Sequence, residues 1–263
     1  MSGRTTQAFE LAAREKRAAF VAYLTAGYPS VEGFLQAAEQ VLQHADILEI
    51  GVPYSDPLGD GPTVQRAGEA ALAAGVTTAT VLELASTLRR RTDKALLLMT
   101  YYNPIYCYPG GEAEFARAAR AAGIDGVILP DLPPDEGREF IAAARALELD
   151  TVFLVAPTST PERLRLVGEA CRGFVYAVSV TGVTGARETV PEAVGQLVAD
   201  ARAASGLPVA VGFGVASGAS AAKVAGMADG VVVGSALIER LTAGAGLLEL
   251  AAEIADGVRR PGG

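Results

Sequence analysis

The sequence predicts one α/β barrel of eight parallel strands, each followed by a helix, and two observations carry this prediction. Eight short apolar runs rich in Val, Ile and Leu recur along the chain, with segments of helical periodicity between them. Apolar runs that are continuous, without polar alternation, are typical of parallel strands buried on both faces. The length of 263 residues fits a single barrel of this kind, which takes about 250 residues. We therefore expect residues 1–263 to form one (β/α)8 TIM-barrel domain.

The apolar runs are the predicted strands. They are Phe20–Leu24, Ile47–Gly51, Ala95–Met99, Gly126–Leu129, Thr151–Ala156, Phe174–Val180, Val209–Gly212 and Val231–Gly234. Repeated strand–helix units form a parallel sheet through right-handed crossovers. Eight such units in a chain of this length favour closure into a barrel over an open sheet.

Segments with helical periodicity separate the strands, and several begin with recognisable start signals. Ser30 precedes one of them, and Thr160 followed by Pro161 precedes another, which is typical of helix starts. The predicted helices are Val31–Gln43, Val81–Arg91, Glu112–Ala122, Asp135–Leu147, Pro161–Cys171, Pro191–Ala204 and Ala219–Ala225. A further helix is expected to open at Ser235, after the last strand.

Two features are added to the regular pattern. Residues Arg4–Arg17 predict an extra N-terminal helix before the first strand. Residues Pro53–Gly75 form a long loop after strand 2, with an additional helix predicted over Thr63–Ala73. Long connections that follow barrel strands usually carry function, so this loop is a candidate part of the site.

Composition and charge narrow the functional classes. The formal net charge is −8, and the lysines are Lys16, Lys94 and Lys223. A nucleic-acid-binding face is therefore not indicated, and an anionic substrate must be held by local groups. Cys107 and Cys171 match no metal-binding spacing and predict reduced thiols. With no apolar signal core and no run of about 18 apolar residues, we expect a cytoplasmic protein.

Carboxylates at the end of strand 2 are the candidate catalytic groups, because barrel active sites lie at the carboxyl ends of the strands. Glu49 is a lone carboxylate inside an apolar run. It is either a structural group paired with a buried partner or an acid–base group whose pKa is raised by apolar surroundings. Asp56 and Asp60 follow among Pro and Gly residues. Ordinary turn chemistry accounts for Asp56, whereas Asp60 is as consistent with an active-site role as with a turn.

Glycine-rich turns after the last two strands predict a phosphate site. Strand 7 is followed by Gly212-Phe213-Gly214-Val215 and strand 8 by Gly234-Ser235. Barrels commonly bind phosphate at these two loops through backbone N–H groups and a helix N-terminus. The loop Thr181–Gly185 adds hydroxyls and glycines at the same end, and it is either a plain flexible loop or a lid.

Missing residue types exclude other chemistries. Schiff-base chemistry needs a lysine at a strand end, but Lys16 and Lys223 fall in helical segments and Lys94 precedes strand 3. Metal-dependent aldol chemistry usually uses histidine ligands, and the one histidine, His44, lies at a helix end. We therefore predict a reaction that uses carboxylates and needs neither a cofactor nor a metal ion.

The segment Leu48–Pro62 closely resembles the signature of the tryptophan synthase alpha subunit family. Segments Phe20–Pro29, Ser179–Gly185 and Gly212–Val215 are similar to that family as well, and the match runs in order from about Phe9 to Leu250. The resemblance implies a retro-aldol lyase that cleaves indole-3-glycerol phosphate to indole and D-glyceraldehyde 3-phosphate in tryptophan biosynthesis.

The resemblance also implies a role for each matching residue. Glu49 would be the general acid–base acting at indole C3 and at the glycerol hydroxyl, and Asp60 would accept the indole N–H and favour the indolenine state. Tyr176 would reach toward Glu49 or the glycerol moiety, and Thr184 would close onto the Asp60 loop. The phosphate would be held by Gly185, Phe213, Gly214, Gly234 and Ser235. The indole pocket would be lined by Tyr23, Met99, Tyr101, Ile128 and Leu154, each of which is equally consistent with plain barrel core.

Two departures from the family pattern add hydroxyl groups. Tyr23 and Tyr54 stand where the family often has Phe, which alters the polarity of the pocket but leaves both carboxylates in place.

A partner follows from the same resemblance. Family members work with a pyridoxal-phosphate beta subunit that receives indole through a tunnel, which implies an alpha2beta2 tetramer. The contact would involve Pro53, Asp56, Asn103 and Pro133. Three alternatives stay open: a free-standing indole-3-glycerol phosphate lyase, another phosphate-binding isomerase or synthase barrel, and a non-catalytic activating subunit.

Overall fold

The computed structural model describes residues 3–178, 190–212 and 214–259. Within these residues eight parallel strands close into a barrel in chain order, and the last strand pairs with the first. The strands are β1 Ala19–Thr25, β2 Ile47–Gly51, β3 Ala95–Met99, β4 Gly126–Leu129, β5 Asp150–Val155, β6 Val175–Val178, β7 Val209–Gly212 and β8 Gly230–Val233. The predicted barrel is confirmed, and every predicted apolar run overlaps a strand.

Helices surround the barrel and also cover one of its ends. They are α1 Arg4–Arg14, α2 Val31–Leu42, α3 Pro62–Ala73, α4 Thr78–Arg89, α5 Tyr102–Tyr106, α6 Glu112–Ala121, α7 Arg138–Ala146, α8 Pro161–Ala170, α9 Val190–Ser205, α10 Gly218–Ala225, α11 Ser235–Ala243 and α12 Leu247–Gly257. The predicted caps are confirmed: Ser30 Oγ accepts a hydrogen bond from the Gly33 N–H at 3.0 Å, and Thr160 Oγ1 accepts one from the Arg163 N–H at 3.3 Å. Both bonds satisfy N–H groups that a helix start leaves without partners.

Several helical predictions differ from the structure. Helix α4 begins at Thr78 instead of Val81, and α7 begins at Arg138 instead of Asp135. Three further differences have a local cause. The N-terminal helix ends at Arg14, short of the predicted Arg17, because Lys16 adopts a left-handed conformation with φ 57°. The last helix divides into α11 and α12, because Gly244 ends α11 in a left-handed conformation with φ 69°. The short helix α5 was not predicted, since five residues are too few to show a period.

Helix α1 closes the N-terminal end of the barrel. Phe9 projects into the inner cluster of the barrel with Val21 and Leu97, and its ring centroid lies 5.2 Å from that of Phe174. Exposure begins at the other end, where Met99 at the end of β3 is half-buried. The carboxyl ends of the strands are therefore the ends that face solvent.

A buried carboxylate joins α1 to the barrel. Asp125 Oδ1 accepts a hydrogen bond from Arg4 Nη1 at 3.1 Å, and Oδ2 accepts from Arg89 Nη1 at 3.0 Å and from the Leu96 N–H at 2.9 Å. The Asp125 side chain is buried, so each bond replaces water that the carboxylate has lost. One residue thereby holds α1, α4 and β3 together at the closed end.

We expect Asp125→Ala to lower the free energy of unfolding by about 3 kcal/mol, because removing one partner of a buried ion pair leaves the other charge unpaired. The matched control is Asp256→Ala, which removes an exposed carboxylate 3.6 Å from Arg259 and should change the unfolding free energy by less than about 0.5 kcal/mol. Urea denaturation of the three proteins measures both values, and equal losses in the two variants would contradict the assignment.

Candidate active site

One cavity of about 330 Å³ opens at the carboxyl ends of the strands. It brings together predicted site residues from three strands and from the loops that follow three others. Its lining includes Tyr23, Asp60, Met99, Tyr176, Gly214, Gly234 and Ser235. These residues lie at the carboxyl ends of the strands and on the loops that follow them, where the site was predicted.

Glu49 lies on the inner face of β2. The neighbours Leu48 and Ile50 pack in the outer cluster under the helices, so alternation along the strand turns Glu49 into the barrel. Its partners across the sheet are Tyr23 on β1 and Leu97 on β3. The side chain is 0% exposed, and neither carboxylate oxygen has a hydrogen-bond partner among the described residues. A structural carboxylate paired with a buried partner therefore does not describe Glu49.

Burial without a partner sets the protonation of Glu49. Desolvation raises the pKa of its carboxyl to about 8, since the charged form loses its hydration and gains nothing in return. At neutral pH the carboxyl is mostly protonated. A carboxylic acid with a pKa close to the working pH can both give and take a proton, as a general acid–base must.

Asp60 lines the cavity, and its environment is more polar than that of Glu49. Burial raises the pKa of Asp60 to about 6, and a hydrogen bond from the Tyr101 hydroxyl opposes that rise. At neutral pH Asp60 is mostly ionised while Glu49 is mostly protonated. Two carboxyls whose surroundings separate their pKa values are suited to different tasks in one reaction.

The loop that carries Asp60 is held by two residues. Tyr101 Oη accepts a hydrogen bond from the Gly59 N–H at 2.8 Å. Gln65 Nε2, on α3, donates to the carbonyl oxygens of Asp60 at 2.9 Å and Pro57 at 3.3 Å. The sequence analysis missed Gln65, although an amide side chain in the first turn of the helix after a loop is well placed to bond back to it. Tyr54 stacks on Tyr101 with ring centroids 5.1 Å apart.

Two tyrosines occupy space that glycines leave free. A Cβ at Gly51 would overlap Tyr23 Oη, and a Cβ at Gly212 would overlap Tyr176 Oη. Glycine at these positions is therefore needed for the tyrosines to pack, besides any close approach of a phosphate to Gly212. Burial raises the pKa of both hydroxyls, which keeps them protonated as hydrogen-bond donors.

The end of the cavity at which a phosphate site was predicted includes a helix N-terminus. Gly234 precedes α11, no side chain caps that helix, and Ser235 is its first residue. The first N–H groups of an uncapped helix attract an anion. Gly214 lines the same cavity with φ 45°, a conformation that favours glycine.

Three predicted residues lie outside the described residues. They are Thr184, Gly185 and Phe213, and their assigned roles stay predictions.

The predicted indole pocket is divided between two layers. Met99 lines the cavity, and Tyr101 is buried behind the Asp60 loop. Ile128 and Leu154 belong to the inner barrel cluster, so in the described part of the chain they back the cavity wall without lining it.

The residues predicted to contact a partner lie on the rim of the same end. Asp56 and Asn103 are exposed, and Pro53 and Pro133 are half-buried. Two large apolar side chains that the sequence analysis missed add to this rim: Leu58 is 94% exposed and Tyr106 is 66% exposed. Single exposed apolar residues are common on surfaces. These two are notable because Leu58 lies on the loop after β2 and Tyr106 lies on α5, next to the residues predicted to contact a partner.

Lys94, Lys223 and His44 lie where the sequence placed them, whereas Lys16, predicted to be helical, follows the end of α1 in a left-handed conformation. Lys94 precedes β3 and its Nζ donates to the carbonyl oxygens of Leu42 and Ala45, each at 2.6 Å, at the end of the barrel opposite the cavity. Lys223 is in α10, and His44 follows α2. Among the described residues no lysine lines the cavity, so none is placed there to form a Schiff base.

No single described helix is long and apolar enough to cross a membrane, and one sharply bent pair, Pro62–Ala73 with Thr78–Arg89, meets the length and composition test only when taken together.

Comparison with known proteins gives a consistent result. The family model described as tryptophan synthase alpha chain matches residues 9–256. The tryptophan synthase alpha chain of Deinococcus radiodurans is 54% identical over 258 residues, covering 98% of this chain and 95% of its own length. That of Mycobacteroides abscessus is 48% identical over 262 residues, covering 98% of both chains.

Solved structures agree with the sequence comparison. The aminoacrylate-bound form of tryptophan synthase from M. tuberculosis has a TM-score of 0.90 and 44% identity, covering 98% of this chain and 100% of that chain. Tryptophan synthase subunit alpha from Legionella pneumophila str. Paris has a TM-score of 0.87 and 33% identity, covering 98% of each chain.

We expect Glu49→Gln to stabilise the protein increasingly as the pH rises. Because the folded-state pKa of Glu49, about 8, lies above that of the unfolded chain, this carboxyl favours the folded state most at low pH. That contribution is lost as the pH rises toward 8, by at most about 1.4 kcal/mol per pH unit. The difference in unfolding free energy between variant and native protein should therefore grow from pH 5 to pH 8 and level off above it.

Urea denaturation at each pH measures this difference. Glu69→Gln, which changes an exposed carboxylate on α3, is the control and should give a difference that stays nearly flat. Parallel pH profiles for native protein and Glu49→Gln would show that Glu49 is not desolvated.

Proposed function

The chain belongs to the tryptophan synthase alpha chain family of lyases, which cleave indole-3-glycerol phosphate, and we propose that Glu49 and Asp60 perform this cleavage here. The observation that carries the proposal is the buried, unpaired carboxyl of Glu49 within the same barrel mouth as the more polar Asp60. A cofactor-free retro-aldol reaction needs one group that delivers and recovers a proton, and one that stabilises positive charge on the ring.

Glu49 acts first as an acid. Its carboxyl gives a proton to indole C3, and the ring acquires positive charge at its nitrogen. Glu49 is suited to this step because burial holds its pKa at about 8, so the acid form is available at neutral pH. The loss of the proton leaves a carboxylate in apolar surroundings, where it is a strong base.

Asp60 stabilises the protonated ring. It is ionised at neutral pH, since the pKa of its carboxyl is about 6, and it accepts a hydrogen bond from the indole N–H. Charge that develops at the nitrogen as C3 is protonated is thereby matched by a fixed negative charge. Tyr101 and Gln65 hold the loop in position, so little reorganisation is required during the reaction.

Glu49 then acts as a base. Its carboxylate takes the proton of the hydroxyl on the carbon joined to indole C3. The bond between that carbon and C3 breaks, its electron pair returns to the ring, and the carbon becomes the aldehyde carbonyl of glyceraldehyde 3-phosphate. Indole leaves as a neutral molecule and Glu49 is protonated again, so the cycle needs no cofactor.

The phosphate of the substrate is assigned to the N-terminus of α11. The free N–H groups after Gly234, together with Gly214 on the opposite turn, form the anion-binding end of the cavity. The site supplies positive potential through the helix dipole and backbone donors, which suits a protein with a net charge of −8.

We propose that the rim around Pro53, Asp56, Asn103 and Pro133 binds a pyridoxal-phosphate beta subunit in an alpha2beta2 tetramer. The exposed Leu58 on the loop after β2 supports this proposal, because apolar side chains at an interface centre are covered by a partner. Tyr102 on α5 donates its N–H to Asp131 Oδ1 at 2.9 Å, which joins the parts of the rim contributed by α5 and by the loop after β4.

We also propose that the chain is one domain that works in the cytoplasm. The barrel closes from β1 to β8, and the segments that flank it pair in an antiparallel bridge between Arg17 and Arg259. Cys107 and Cys171 are free thiols, as is usual in a reducing compartment.

We expect Glu49→Gln to lower kcat for indole release by about 10²–10⁴-fold, because it keeps the size of the side chain but cannot transfer a proton. Asp60→Asn should lower kcat by about 10²-fold, because the charge opposite the ring nitrogen is lost. Glu69→Gln, an exposed carboxylate on α3, is the matched control. Indole release from indole-3-glycerol phosphate is measured with and without a beta subunit.

The outcomes separate the alternatives. Slow release by the isolated chain with strong stimulation by the partner supports the alpha-subunit role, whereas fast release without it supports a free-standing lyase. Native kcat in Glu49→Gln and Asp60→Asn would contradict the carboxylate mechanism. No indole release by the native chain, together with activation of the beta subunit, would favour a non-catalytic activating subunit.

A further inference from the structure

Tyr23 places a hydroxyl beside the buried carboxyl of Glu49, and the reaction described above does not use it. The two residues are partners across the β1–β2 pairing. Tyr23 is buried and lines the cavity. A phenol in this position fills space as a phenylalanine would, but it also brings one hydrogen-bond donor into an apolar site.

The hydroxyl of Tyr23 packs against β2, the strand that carries Glu49. Tyr23 Oη occupies the space in which a side chain on Gly51 would begin. Gly51 and Glu49 are two residues apart in β2, so both face the barrel interior about 6.6 Å from each other. A glutamate side chain extends about 3.5 Å from Cβ to its carboxylate oxygens. When it extends along the strand toward Gly51, it comes within hydrogen-bonding reach of Tyr23 Oη.

The Tyr23 hydroxyl makes no short hydrogen bond to another described group. The hydrogen bond found for Tyr23 Oη in the described residues is a long one, 3.4 Å to Thr25 Oγ1. Both oxygens of Glu49 are without partners. A weakly bonded donor and an unpaired buried acceptor thus lie within one side-chain rotation of each other.

The other groups that face Glu49 are poorer candidates. Asp60, on the loop after β2, is ionised at neutral pH and has no proton to donate. Tyr176 on β6 also senses the charge of Glu49, which raises its pKa. Its hydroxyl, however, lies over Gly212 on β7 and not over Glu49's own strand. Leu97, the neighbour on β3, is apolar.

We propose that Tyr23 is a positioning residue whose hydroxyl donates a hydrogen bond to the Glu49 carboxylate once Glu49 has given its proton to the substrate. The proposal rests on the acid–base role assigned to Glu49 above. Tyr23 keeps its own proton throughout, since burial and the charges of Asp60 and Glu49 raise its pKa. Its effect is to stabilise the ionised half of the Glu49 cycle, the half that burial makes costly.

The kinetic test is Tyr23→Phe, which removes the hydroxyl and keeps the ring. A hydrogen bond to a charged group is worth enough for kcat of indole release to fall about tenfold or more, with KM changed less than about threefold. The fall in activity at high pH, where Glu49 starts the cycle without its proton, should move to higher pH. Thr25→Val is the matched control, since it removes the present partner of the hydroxyl and should leave kcat and the pH profile nearly unchanged.

Two kinetic results would overturn the proposal. One is a Tyr23→Phe enzyme with native kcat and a native pH profile. The other is a Thr25→Val enzyme with the same defect as Tyr23→Phe, which would assign the effect to the contact between these two side chains.

A second test needs no turnover. Unfolding free energies are measured for native protein, Tyr23→Phe, Glu49→Gln and the double variant at pH 6 and pH 9. Tyr23→Phe should destabilise more at pH 9, where Glu49 is ionised, and this pH dependence should vanish in the Glu49→Gln background. Equal losses in both backgrounds at both pH values would overturn the proposal. If the native chain releases no indole, the proposed function fails while this cycle still decides the hydrogen bond.

Discussion

The desolvation of one carboxyl group is the constraint on which the site depends. Glu49 lies inside a closed ring of parallel strands with no hydrogen-bond partner among the described residues, and a charge there is costly. The barrel imposes this environment because alternation along β2 turns Leu48 and Ile50 outward and Glu49 inward. Helix α1 adds to it by closing the far end with Phe9. The same burial that destabilises the ionised form gives Glu49 a proton to use at neutral pH.

The rest of the site is arranged around that constraint. Glycines at Gly51 and Gly212 leave room for two buried tyrosine hydroxyls, and the hydroxyl of Tyr23 brings an uncharged donor to the strand that carries Glu49. Asp60 stays ionised because it lies on a loop, within reach of Tyr101. The uncapped start of α11 at Gly234 is the end proposed above to hold the substrate phosphate, by backbone groups and away from Glu49. The two carboxyl groups and the uncapped helix start thus lie in three different kinds of structure: the apolar barrel interior, a polar loop and a helix end.

The parts of this arrangement that depend on local sequence patterns could be predicted from the sequence. Continuous apolar runs gave the strands, and a carboxylate within one of them identified Glu49. Long-range packing could not be predicted. Nothing near Gly51 in the sequence indicates that Tyr23 fills its side-chain space, and nothing near Asp60 indicates that the Gly59 N–H donates a hydrogen bond to Tyr101. Helix α5 is too short to show a period, and the break at Gly244 depends on one left-handed residue. Local periodicity predicts helices and strands, whereas the geometry of the site depends on contacts between segments that are distant in the sequence.

The measurement that tests the central claim most directly is a titration of the Glu49 carboxyl in the folded protein. Glutamate labelled with ¹³C at the side-chain carboxyl is incorporated, and the Glu49 resonance is assigned by its absence in Glu49→Gln. An apparent pKa near 8 is the predicted result. An apparent pKa near 4.5, the ordinary value for the group, would show that the carboxyl is solvated or paired, and the acid–base role built on its burial would be wrong.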